Sequence, residues 1–130
     1  MIALDTNLLA RLLLRDDGPQ HTRVKALLNT GQLFTAPVTV LLELVWVLEA
    51  NDCTPAEIER GLGMLLGLRN FKPPQADAVR AALQAHAHGM DFAHALHLAL
   101  GAGDETFLSF DKAFARKAAK SGLRPRVVAV

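Results

Sequence analysis

The chain opens Met1-Ile-Ala-Leu-Asp5-Thr-Asn-Leu-Leu-Ala-Arg-Leu-Leu-Leu14, and this stretch decides the fold class. Ile2-Ala-Leu4 is short, apolar and halted by Asp5, which reads as a strand. Leu8, Leu9, Leu12 and Leu13 follow at i, i+1, i+4 and i+5, the spacing of one helix face. The chain therefore turns straight from strand into helix, and Thr6 or Asn7 can supply the capping oxygen. Asp16-Asp17-Gly18-Pro19 breaks that helix. Val24, Leu27 and Leu28 mark a second one, ending near Gly31.

The alternation continues along the chain. Leu33-Phe-Thr35 is a candidate strand. Val38 to Ala50 is apolar almost all round, as in a helix buried on most sides. Ile58, Leu62, Leu65 and Leu66 stripe another helix, Ala76, Val79, Leu83 and Ala87 the next, and Gly89 separates these from Asp91 to Leu100. Thr106-Phe-Leu-Ser109 reads as a strand, Lys112 to Lys120 as a helix and Val127 to Val130 as a closing strand. Strands alternating with helices imply an α/β layer fold around a mostly parallel sheet, here one domain over residues 1–130. Ligands gather beyond the carboxyl ends of such strands, and two strands end there in aspartate, at Leu4-Asp5 and Phe110-Asp111.

Taken alone, Asp5 is a turn or cap residue, Asp111 begins its helix, and Asp91 makes a good N-cap. Glu43 is different. It sits in Val40-Leu-Leu-Glu43-Leu-Val-Trp-Val-Leu48, a helix with no evident polar face, where a buried unpaired carboxylate is costly. Either an ion pair, a narrow solvent-facing seam or a functional role explains it. Asp91 and His94 lie three apart and share a helix face. Four carboxylates converging without a cation would repel one another. A magnesium or manganese ion, which takes oxygen ligands, removes that repulsion and activates water at a phosphoryl centre.

Leu4-Asp5-Thr6-Asn7, Leu42-Glu43-Leu44, Asp91-Phe-Ala-His94-Ala-Leu-His-Leu-Ala99 and Phe107-Leu-Ser-Phe-Asp111-Lys-Ala-Phe114, in this order and on these elements, make the whole chain resemble a PIN-domain ribonuclease, and within it the VapC-like toxins of toxin–antitoxin pairs. The resemblance implies a three-layer fold with a central mostly parallel sheet flanked by helices. It implies a pocket for Mg2+ or Mn2+ with Asp5, Glu43 and Asp111 on metal-site positions and Thr6 and Ser109 as near-site hydroxyls; Asp91 and His94 join the candidate metal ligands, and Asn7 the near-site polar groups, by their places beside these. It further implies endonucleolytic hydrolysis of RNA, a homodimer and a cognate antitoxin protein. One position departs. Where the family usually reads Asp-Phe-Ala-Asp-Ala, the second aspartate is His94, which offers a neutral nitrogen in place of charged oxygens. His94 is a variant with altered metal preference, an activity-lowering substitution, or the sign of a shifted match in which Asp91 is the main ligand. Reduced activity is the expectation. The alternative is a catalytically weak PIN module that binds RNA or antitoxin.

Other signals carry less. His94 and His97 lack the i, i+4 spacing of the familiar helical zinc pair, so His97 is expected to pack against neighbours and His86 and His88 to lie near the surface. Gly61, Gly63 and Gly67 lack a phosphate-loop ending and are expected to permit close helix packing. Trp46 and Phe92 are expected in the core. An aspartate-nucleophile phosphatase is remote, because Asn7 stands where its second aspartate belongs.

Composition narrows the rest. The 130 residues are 51% hydrophobic and 21% charged, enough for a packed core and unlike a disordered chain. One cysteine, Cys53, excludes an internal disulfide. No basic leader precedes Asp5, and Pro37 to Ala50 is too short and too charged to span a bilayer, so a cytoplasmic protein is expected. The net charge of +1 conceals an asymmetry: residues 112–130 hold six of the fourteen Lys and Arg and none of the thirteen Asp and Glu. Lys112, Arg116, Lys117 and Lys120 in that segment are candidate RNA phosphate contacts.

Overall fold

The computed structural model describes residues 1–130. In chain order they form β1 (Ile2–Ala3), α1 (Thr6–Leu14), α2 (Gly18–Leu28), β2 (Phe34–Thr35), α3 (Val38–Ala50), α4 (Pro55–Leu66), α5 (Ala76–Ala87), α6 (Phe92–Leu100), β3 (Thr106–Ser109), α7 (Lys112–Ser121) and β4 (Arg126–Ala129). This is the expected α/β alternation, and every strand pairing is parallel. The expected central sheet is realised as two parallel pairs, β1 with β2 and β3 with β4. The chain divides into two compact units, Met1–Ala76 and Asp77–Val130.

In the first unit, Ile2 and Ala3 stand in register with Phe34 and Thr35, and Phe34 bridges onward to Phe71. α1 packs on α2 and α3, and α3 on α4. Leu9, Leu41, Leu44, Ile58 and Leu62 are fully buried among them, each worth roughly 1.5–3 kcal/mol of hydrophobic stabilisation. α3 is less enclosed than its composition suggests. Val40, Leu41, Leu44, Val45 and Leu48 form its buried stripe, while Thr39, Glu43, Trp46 and Ala50 form a solvent-facing seam. Glu43 is thus exposed rather than buried. Trp46, expected in the core, is 51% exposed.

The glycines are not needed for close helix packing: a Cβ on Gly61 would make ordinary contact with the Leu13 methyls at 3.7 Å, Gly63 faces open space and Gly67 follows the end of α4.

In the second unit, Thr106–Ser109 pairs residue by residue with Arg126–Ala129, and α7 connects the two strands and packs on both. Phe92, Leu96, Leu98, Phe114 and Val127 are buried. Four rings form a continuous series: His94 lies flat on Phe114, Phe114 meets Phe107 edge-on, and His97 stacks on Phe107. Two residues past the end of α5 stands Gly89, whose φ of +108° suits glycine because no Cβ opposes it. There His86, expected near the surface, is buried, with Nδ1 2.7 Å from the Met90 carbonyl and its ring edge-on to Phe92. No helix is long and apolar enough to cross a membrane.

Candidate functional site

Asp5 leaves β1 in extended backbone and caps α1, its Oδ1 accepting the Thr6 N–H at 2.8 Å. Aspartate therefore takes the cap for which Thr6 and Asn7 were the candidates, and both of those lie inside the helix. Placed at the first helical position, Thr6 is buried, and its hydroxyl donates to Glu43 Oε1 at 3.2 Å. One residue thus binds Asp5 through its backbone and Glu43 through its side chain. The two carboxylates lie 38 positions apart in the chain, and the α1–α3 contact unites them. Asn7 belongs elsewhere: it lines a cleft between α1 and α2 with Arg11, Gln20 and Arg23.

The second unit repeats the capping device twice. Asp91 caps α6 with Oδ2 accepting the His94 N–H at 3.1 Å, and His94 Nδ1 stands 3.9 Å from the same oxygen. Asp111 caps α7 with Oδ1 accepting the Phe114 N–H at 2.9 Å, and its own N–H donates to Ser109 Oγ at 2.9 Å. The His94 ring lies on Phe114, centroids 4.0 Å apart and planes 15° apart. His94 therefore connects Asp91 to the residue that Asp111 caps.

All four carboxylates are exposed, none pairs with a Lys or Arg, and each spends one oxygen on a single hydrogen bond. The second oxygen of each is free. Hard, accessible oxygen donors without a cationic partner suit a hard divalent ion, and aspartates at helix N-termini suit the local dipole. His94 suits it less, since it offers a neutral nitrogen where a carboxylate would offer charged oxygens. The donors stand in small sets: Asp5 and Glu43 about Thr6, Asp91 with His94, Ser109 with Asp111. No group of three or more His, Cys, Asp or Glu side chains is gathered as a metal cage. Cys53 takes no part, and burial pushes its thiol up from the ordinary range, Glu57 and Asp52 adding to the effect.

Of the four basic candidates, Arg116, Lys117 and Lys120 line one cleft between α5 and α7, while Lys112 does not. Two features were missed from sequence. His88 shares that cleft, and no local signal marked it, since it lies in the turn after α5 and meets α7 only through the fold. Phe110 is 86% exposed between Ser109 and Asp111, and the two-residue period of β3 already sets it beside exposed Leu108.

A family model described as PIN domain matches residues 2–120. Among curated proteins no match is found.

Proposed function

The chain belongs to the PIN-domain family, and from that premise we propose that it is a divalent-metal-dependent endoribonuclease, the VapC-like toxin of a toxin–antitoxin pair. PIN domains are generally metal-dependent nucleases. The observation that carries the finer reading is the double engagement of Thr6 by Asp5 and Glu43, which fixes two acidic side chains with a free oxygen each. We read residues 1–130 as one catalytic domain, in line with a family match that spans both compact units.

In this reading Asp5 and Glu43, set about Thr6, would supply oxygen donors to Mg2+ or Mn2+, and Asp91 and Asp111 are the further carboxylates proposed for it. When bound, such an ion supplies activation of water and neutralisation of charge at the phosphate. Thr6 orients the Glu43 carboxylate. Ser109 fixes the backbone from which Asp111 projects. His94 stands at the position of a usual family aspartate and lowers the negative charge of the donor set. Lys112, Arg116, Lys117 and Lys120 hold RNA phosphates. A homodimer and a cognate antitoxin complete the assembly. Exposed apolar side chains such as Trp46, Met64, Leu108 and Phe110 are compatible with protein contacts.

The test is cleavage of RNA by the purified chain with Mg2+, with Mn2+ and with EDTA, beside His94→Asp. Cleavage is expected only with an ion, and His94→Asp is expected to gain about tenfold or more, most with Mg2+, because it restores a hard oxygen ligand. Absence of cleavage by both chains with either ion sinks the nuclease reading, and equal rates sink the role given to His94. The neutral nitrogen of His94 in place of a charged oxygen donor favours a second reading, a catalytically weak module that binds RNA or antitoxin. RNA binding without cleavage in both chains selects it.

A further inference from the structure

α5 and α7 enclose a cleft of about 740 Å3, within the roughly 300–1,000 Å3 of ordinary ligand sites. Its walls are one-sided in charge. Arg116, Lys117 and Lys120 project from α7 and His88 stands in the turn just after α5, with buried Ala85 and Met90 among the lining residues. No carboxylate lines it. Arg116 and Lys120, at i and i+4, repel each other along the helix, and none of the three cations has an ion-pair partner. The helix dipole accounts for Lys120 in the last turn but not for Arg116 and Lys117. An arrangement that costs the isolated fold some stability is explained by an anion from outside.

The position of the cleft selects the anion. α7 begins at Asp111, and Lys120 lies nine residues on, roughly 13 Å along the axis at about 1.5 Å per residue. A single strand engaged at Asp111 covers that span within a few nucleotides. Partly exposed Ala81 and Leu123 in the lining offer an apolar surface for a base or ribose beside phosphate-binding cations, without the aromatic stacking that would impose strong attachment.

We propose that the α5–α7 cleft is a second, non-catalytic RNA site that holds backbone phosphates of the substrate strand several nucleotides from the one cleaved. The inference rests on the ribonuclease reading for its substrate and for the phosphate contacts of Arg116, Lys117 and Lys120, and it adds that these three act as a grip of their own, apart from the carboxylates and from Lys112. Contact by ionic pairing and a plain apolar surface makes the grip indifferent to base sequence.

Binding of a short fluorescein-labelled single-stranded RNA, followed by anisotropy across a salt series in EDTA, tests it. Arg116 and Lys120 are exposed, so Arg116→Gln with Lys120→Gln is expected to leave the circular dichroism spectrum intact. That double variant should bind more weakly, with a log K against log salt slope shallower by about 1.4, or about 0.7 per lost phosphate contact. Arg60→Gln with Arg69→Gln removes the same charge from exposed positions outside the cleft and should keep the wild-type slope. Equal slopes for the two double variants overturn the proposal, as does failure of the wild-type chain to bind RNA at any salt. Adenosine monophosphate and inorganic phosphate serve as competitors. Displacement by either at concentrations as low as unlabelled RNA requires makes this a small-anion site and overturns the strand assignment. Cleavage by the wild-type chain with Mn2+, measured separately, keeps the two readings apart. Cleavage with cleft-independent binding removes the cleft alone, and cleft-dependent binding without cleavage removes the ribonuclease reading alone.

Discussion

Thr6 shows how much one buried hydroxyl organises. Thr6→Val keeps the backbone N–H that Asp5 accepts and keeps the branched shape, but deletes the donor to Glu43 Oε1. A net hydrogen bond is worth roughly 0.5–1.5 kcal/mol, so urea denaturation should show a loss of that size. RNA cleavage should fall about tenfold, and Thr6→Ser should recover most of it. Undiminished cleavage in Thr6→Val removes Thr6 from the site. Asp5 was legible because it ends a strand and begins a helix, two local patterns. The Thr6–Glu43 bond was not, since it exists only once α1 lies on α3. The seam carrying Glu43 was present in the sequence at i, i+4, i+7 and i+11, yet Trp46 and Ala50, two of its four members, count as apolar and hid it. His94 and Phe114 met for a similar reason: twenty positions apart, they are joined only by tertiary packing.

At the scale of elements, Asp5, Asp91 and Asp111 each begin a helix, so chemistry and capping share one side chain three times. α4 starts with a fuller device. Thr54 accepts the Glu57 N–H through its hydroxyl, and Glu57 accepts the Thr54 N–H in return, a capping box whose sequence pattern is Thr-x-x-Glu. Thr54→Ala should cost about 1 kcal/mol, read as a lower urea midpoint with an unchanged slope. The Thr54 backbone N–H first, and its hydroxyl second, hold the Glu57 carboxyl below its ordinary value near 4.5. A carboxyl depressed in the folded state contributes stability above its unfolded value, and that contribution is lost as pH falls through the folded value. Glu57→Gln should therefore flatten the acid side of the stability profile, below about pH 4.5. Helix positions were legible from apolar spacing almost throughout. Strand ends were less so, because two-residue strands such as β1 and β2 are defined by their partners.

For the whole molecule, the order of elements was legible while the division at Ala76 and the two-by-two pairing of strands were not, since both depend on contacts distant in sequence. The charge asymmetry was legible as a run, but only the fold turns three of those cations into one cleft. The capping aspartates are satisfied by their own helices and the core is apolar, so folding itself needs no ion. EDTA should leave the melting temperature within about 2 °C, a shift corresponding to well under 1 kcal/mol. Saturating Mn2+ should raise it, by about 2.7 kcal/mol of linkage at a hundredfold excess over Kd. Scanning calorimetry checks both, and collapse in EDTA would mark the ion as structural. One further consequence belongs to the seam of α3. The chain has a single tryptophan and no tyrosine, and that indole, Trp46, is half exposed one turn beyond Glu43. Its ultraviolet emission is thus an intrinsic one-point optical gauge, letting an ion, a strand or another chain arriving over Glu43 be watched without attaching a dye.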